Sequence, residues 1–240
     1  AAALNKLYGI DKADVDRFQP PVRHRSDIIR SRVPTDSDRH FSKTNNAELI
    51  AFCRATGCRR NVLERLTGND LWTCERMKIT LAVLNGKTGL SKSEIRLQGN
   101  LQQALKEFPG QDIFVYHRQD KGGKYRFAPV VGPGKAVVID RFANTAKDEK
   151  VWKSVSKAAD IHAYRAEYAR AVYNMEARDI ESIPYDRVHP HTGHKYQSGV
   201  YVCRGDEEGK KLCKKGLYKA SLALGHNRID VVASNYLHAL

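Results

Sequence analysis

Asp160-Ile161-His162-Ala163-Tyr164-Arg165-Ala166-Glu167-Tyr168-Ala169-Arg170 reads as the opening of a helix over 160–177. Asp160 is its expected N-cap, because an aspartate oxygen can take a backbone N–H that the first turn leaves without a partner. Residues three apart share a helix face, so His162 and Arg165 stand together. Tyr164 and Tyr168 share the helix with them and read as packing residues lining the same site. The pair is weak by itself, since any basic helix can carry His-x-x-Arg. Its meaning depends on what the rest of the chain brings to it.

Upstream of this helix, Asp112-Ile113-Phe114-Val115-Tyr116-His117-Arg118 and Tyr125-Arg126-Phe127-Ala128-Pro129-Val130-Val131 are runs of β-formers. Asp120-Lys121-Gly122-Gly123-Lys124 joins them, and its two glycines suit a turn. The three pieces predict a β-hairpin with a basic tip. Helical spacing is expected from Asn45 to Gly57, with Asn45 and Glu48 as a capping box. Further helices are expected from Arg60, over 70–84, 91–107, 134–143 and 147–158. Downstream, Pro184, Pro190, Gly193, Gly199, Gly205 and Gly209 break the pattern across 178–216. Within that stretch Val200-Tyr201-Val202-Cys203 could pair with Lys211-Leu212-Cys213. A helix then runs from Leu217 to Leu224, Gly225 ends it, and a last helix spans about 228–237. The fold class is α+β, mainly α, with a small antiparallel sheet.

The chain of 240 residues carries 41 Lys and Arg against 27 Asp and Glu, a formal charge of +14, with an isoelectric point near 9.6. Charged residues at 28% and apolar ones at 41% are those of a folded chain, which excludes disorder throughout. No run approaches the ~18 apolar residues that a membrane helix needs. Five cysteines without a Cys-x-x-Cys spacing speak for a reducing, cytoplasmic setting rather than a disulfide framework. The surplus positive charge calls for an anionic partner, and nucleic acid is the leading one. Arg23-His24-Arg25-Ser26-Asp27-Ile28-Ile29-Arg30-Ser31-Arg32 reads as a linker that could lie on a phosphate backbone. The histidines of His189-Pro190-His191-Thr192-Gly193-His194, with Cys203 and Cys213, match no zinc-finger spacing and are read as a polar loop beside a hairpin.

The order of features is more telling than any one of them. Thr56-Gly57-Cys58-Arg59 closes a helix, Lys121-Gly122-Gly123-Lys124-Tyr125-Arg126 lies on a hairpin, and His162-x-x-Arg165, Leu224-Gly225-His226 and Tyr236 follow. In that order they resemble the tyrosine recombinases, the phage-type integrases, and among them the group found on bacterial integrative elements. The resemblance spans residues 45–240, which it identifies as the catalytic domain. It makes residues 1–44 a remnant of the family's core-binding domain with a basic linker. The intervals from Arg59 to Lys121 and from Arg165 to His226 exceed the family's short form, with the extra length at 70–108 and 178–216.

The resemblance implies the catalytic set Arg59, Lys121, His162, Arg165, His226 and Tyr236. It alone singles out Tyr236 as nucleophile among eleven tyrosines. Two guanidiniums would hold the non-bridging phosphate oxygens. His162 would take the phenol proton, Lys121 would protonate the leaving 5′ oxygen, and His226 would bond a phosphate oxygen. No metal or other cofactor is implied, and the product is a 3′-phosphotyrosyl linkage that can be resealed. The implied partners are double-stranded DNA and further copies of the chain, as a tetramer, with no membrane. Two rivals share parts of this reading: a type IB topoisomerase uses the same chemistry, and a DNA-binding protein could keep the fold without cutting.

Overall fold

A computed structural model describes residues 41–237 of the chain. The linker at 23–32 and nearly all of segment 1–44 therefore lie outside the described residues, as do His238, Ala239 and Leu240. The described chain is α+β, with about half its residues helical and its strands in small antiparallel sheets.

Helix α1 (Ala47–Thr56) ends on Gly57, whose φ of 59° makes a left-handed cap. A short α2 (Arg60–Leu63) follows. Then come β1 (Leu71–Thr73), α3 (Cys74–Gly86) and α4 (Lys92–Glu107). The expected hairpin is present as β2 (Ile113–Asp120) and β3 (Lys124–Pro129), with β1 added to its edge in the order β1-β2-β3. After α5 (Lys135–Ala143), the long helix α6 (Ile161–Glu176) packs on α1. A small two-stranded ribbon, β4 (Arg187–Val188) with β5 (Lys195–Tyr196), comes next. A second pair, β6 (Val200–Val202) with β7 (Lys211–Cys213), leads into α7 (Lys214–Leu224) and α8 (Ile229–Tyr236). Among the described residues no helix is long and apolar enough to cross a membrane.

Two apolar clusters hold these elements. One joins α6, α7 and α8 to the hairpin through Phe114, Phe127, Tyr168, Leu217, Leu224 and Leu237. The other packs Phe52, Leu63, Val115, Phe142 and Trp152 between α1, α2 and α5. Trp72 and Trp152 are both core residues. Cys53 and Cys58 are buried, and Cys74 is partly exposed.

The structure departs from the sequence reading in three places. Residues 71–73 form a strand rather than the start of a helix, because Trp72 pairs with Phe114 across the sheet edge. The segment 147–158 is not helical. The Arg60 guanidinium takes the carbonyls of Val155, Ser156, Lys157 and Ala159, while Leu66, Thr67 and Gly68 pair with 149–151. Those long-range bonds replace the i→i−4 ladder. Finally, the cap of α1 is Asn46 rather than Asn45, and its side chain makes no capping bond.

Candidate functional site

The site forms where the end of α7, the end of α8, the buried second turn of α6 and the β2–β3 hairpin converge. The hairpin carries a β-bulge between His117 and Asp120, and Gln119 adopts a φ of 48° there. A bulge adds a residue to one strand and so changes which face the following side chain meets. His117 and Asp120, three apart, are both buried as a result. Asn61 and Arg65 donate to the displaced Gln119 carbonyl, each at 3.3 Å.

Asp120 is the hub. It bonds Arg59 through Oδ1 at 2.7 Å and Arg126 through Oδ2. Burial by itself would raise its pKa, but the Arg126 and Arg59 guanidiniums outweigh that and hold the carboxyl well below the usual carboxylate range. Arg126 also donates from Nε to the Ala223 carbonyl at 2.9 Å and from Nη2 to His117 Nδ1 at 2.7 Å. A guanidinium can only donate, so Nδ1 is the acceptor and the His117 proton sits on Nε2, facing Cys58 Sγ at 3.3 Å. Burial, reinforced by Arg126, pulls His117 well below the usual imidazole range, so it is neutral. Burial likewise pushes the Cys58 thiol up to about 12.

Arg165 is fully buried. It donates to the carbonyls of Gly57 and Leu224. Arg126 and Arg165 thus grip successive carbonyls at the C-terminus of α7, where the helix dipole favours cations. The buried Nε of Arg165 has no acceptor among the described residues. Burial, followed by repulsion from Arg126 and Arg59, brings this guanidinium down to about 10, and the neighbouring Tyr236 phenol works the other way. Gly225 then turns the chain with φ 72°, placing His226 over the site.

Tyr236 reaches back from α8 onto this group. Its ring centroid lies 5.9 Å from Arg165 Cζ, and its hydroxyl lies 3.3 Å from His226 Nε2. Burial lowers His226 to about 4, and Arg165, Arg59, Arg126 and Lys124 add to the effect. A neutral imidazole can accept at Nε2 from the phenol or donate to it, according to its tautomer, while the Arg165 guanidinium faces the Tyr236 ring.

Of the six expected residues, Arg59, Arg165, His226 and Tyr236 share this cluster. His162 is on the exposed first turn of α6, one turn before Arg165, where the helix emerges from the core. Lys121 is exposed at the hairpin tip. Lys124, at the other side of the same turn, reaches the Gly225 carbonyl at 3.3 Å. Asp120, Arg126 and His117 are site residues that the sequence reading did not single out. No family model, no curated protein and no solved structure matches this chain.

Proposed function

We propose that the chain is a DNA strand transferase working as a tyrosine recombinase, with Tyr236 as nucleophile. The observation that carries the reading is the phenol of Tyr236 held between a neutral imidazole and a buried guanidinium. In the first step the Tyr236 oxygen attacks a backbone phosphorus and its proton passes to a histidine. The bond from phosphorus to the 5′ oxygen breaks, that oxygen takes a proton from a hairpin lysine, and a 3′-phosphotyrosyl ester remains. Reversal by a 5′ hydroxyl reseals the strand, so no energy source is consumed.

Arg165 and Arg59 would meet the charge that develops on the non-bridging oxygens, which is where fixed donors in a dry site act most strongly. The Arg165 Nε–H without an acceptor is one such donor. Because the Tyr236 ring covers Arg165, α8 has to shift for a phosphate to enter. His226, with Nε2 at 3.3 Å from the phenol, is a second candidate base beside His162, and Lys124 is a second candidate acid beside Lys121. The basic composition, +14 over the sequence, supplies attraction to duplex DNA and a steep salt dependence.

The test is a nicked duplex whose cleaved fragment diffuses away. The parent chain is expected to leave a protein–DNA adduct that survives denaturing electrophoresis, formed equally in a chelator. Binding without an adduct would favour a DNA-binding protein that does not cut.

A further inference from the structure

The β4–β5 ribbon is built unlike the rest of the chain. Every residue from Pro184 to Tyr196 is exposed, so the segment contributes nothing to either core. Its root is nonetheless fixed. The buried Gln197 donates to the carbonyls of Ile180 and Ile183 at 2.9 and 2.6 Å. Asp186 takes both the backbone N–H and the hydroxyl of Ser198, at 2.8 and 2.5 Å. Lys214, the first residue of α7, bonds the carbonyls of Ser198 and Gly199. Beyond that root the ribbon closes on itself through His189 N–H to the His194 carbonyl at 2.8 Å, with Gly193 at φ 67° in the turn.

An anchored finger with no apolar role in its own fold is an arrangement for touching something else. Its composition says what. Asp186 is its one carboxylate, and hydrogen bonds from Ser198 hold that group at the root, below the usual carboxylate range. The projecting part carries Arg187, Lys195, three histidines and two exposed tyrosines. In the register, Arg187 faces Tyr196 and Val188 faces Lys195. Cross-strand partners share a face and neighbours along a strand alternate, so the two cations stand on opposite faces. A flat acidic surface would meet only one of them. A groove with an anionic wall on each side meets both. The DNA major groove, about 12 Å wide, admits a two-stranded ribbon and is walled by phosphates.

We propose that the β4–β5 ribbon enters the major groove of duplex DNA, with Arg187 and Lys195 taking phosphates on opposite walls. This rests on the nucleic-acid part of the preceding reading and adds the place of contact. The root of the ribbon is at the first turn of α7 and His226 follows the last, a helix of 11 residues and so about 16 Å long. The ribbon therefore meets the duplex within about one turn, roughly 34 Å, of the phosphate at Tyr236.

The test measures affinity of the full chain for a fluorescent duplex across a salt series, for the parent, for Arg187→Gln with Lys195→Gln, and for a chain in which residues 187–196 are replaced by Gly-Gly. Both variants should melt as the parent does, because no buried residue is removed. The double substitution is expected to bind more weakly and to lower the slope of log affinity against log salt by about 2, one per phosphate contact. Single-stranded DNA of the same length should show a smaller change. Unchanged slopes in both variants, with the parent still binding and forming its adduct, would overturn the ribbon contact and leave the recombinase reading standing. A parent that does not bind duplex DNA would overturn both. Loss of self-association in place of DNA affinity would make the ribbon a protein-binding element and overturn the proposal.

Discussion

Gly225 shows how tightly single residues constrain the site. Its φ of 72° is left-handed, and a Cβ there would lie 2.6 Å from Arg126 Nη1. Gly225→Ala is expected to destabilise the chain by about 2 kcal/mol, from left-handed backbone strain plus displacement of Arg126; chemical denaturation measures it. Asp120→Asn is the more severe change. It leaves the Arg59 and Arg126 guanidiniums facing one another without a counter-charge, and breaking a buried pair in this way costs about 3–5 kcal/mol. Adduct formation should fall with it, because Arg59 loses its anchor. Arg59, Arg165, His226 and Tyr236 were reached only through the resemblance that the order of short motifs carries. Asp120 was not reached, since a one-residue bulge turns it inward and nothing in Gln119-Asp120-Lys121 announces a bulge. Arg126 sat in a run of β-formers whose alternation says which face it takes, not that three acceptors wait there.

Elements were legible where local rules decide them. Asp160 caps α6 as its chemistry dictates, accepting from Ala163 N–H at 3.0 Å. Asp160→Ala should therefore cost about 1 kcal/mol. Asn46→Ala, at a cap whose side chain takes no helix N–H and only donates to the Ser42 carbonyl at 2.8 Å, should cost less than that. Thermal melts of the two variants make the comparison. The hairpin was legible too, because two glycines between β-formers leave few alternatives. Where distant groups decide, the sequence reading failed. The Arg60 guanidinium gathers four carbonyls from 155–159, and no local pattern reveals a bond made across almost a hundred residues. Strand β1 is a similar case: Leu71-Trp72-Thr73 is too short to show alternation and exists because β2 offers it an edge.

At the scale of the whole molecule, the site couples folding to pH. His226 is lowered from the ordinary imidazole value to about 4, so between about pH 6.5 and 4 the unfolded chain binds a proton that the folded chain does not. Stability from this group is present above that window and is lost as pH falls through it. Asp120, also held low, adds a loss below the ordinary carboxylate range. The melting temperature should fall steadily on acidification from pH 7 to pH 4, and the His226 ring resonances should still report a neutral imidazole at pH 5.5. The overall charge and the α+β class were legible from composition and patterning, whereas the convergence of four elements on Tyr236 needed the tertiary structure. That convergence is the central claim, and peptide mapping of the DNA adduct tests it most directly. Trypsin cuts after Arg228, and no Lys or Arg follows it in the sequence, so the peptide beginning at Ile229 should carry the nucleotide on Tyr236, and Tyr236→Phe should fold, bind DNA and form no adduct. An adduct on another residue, or one that persists in Tyr236→Phe, would contradict the account.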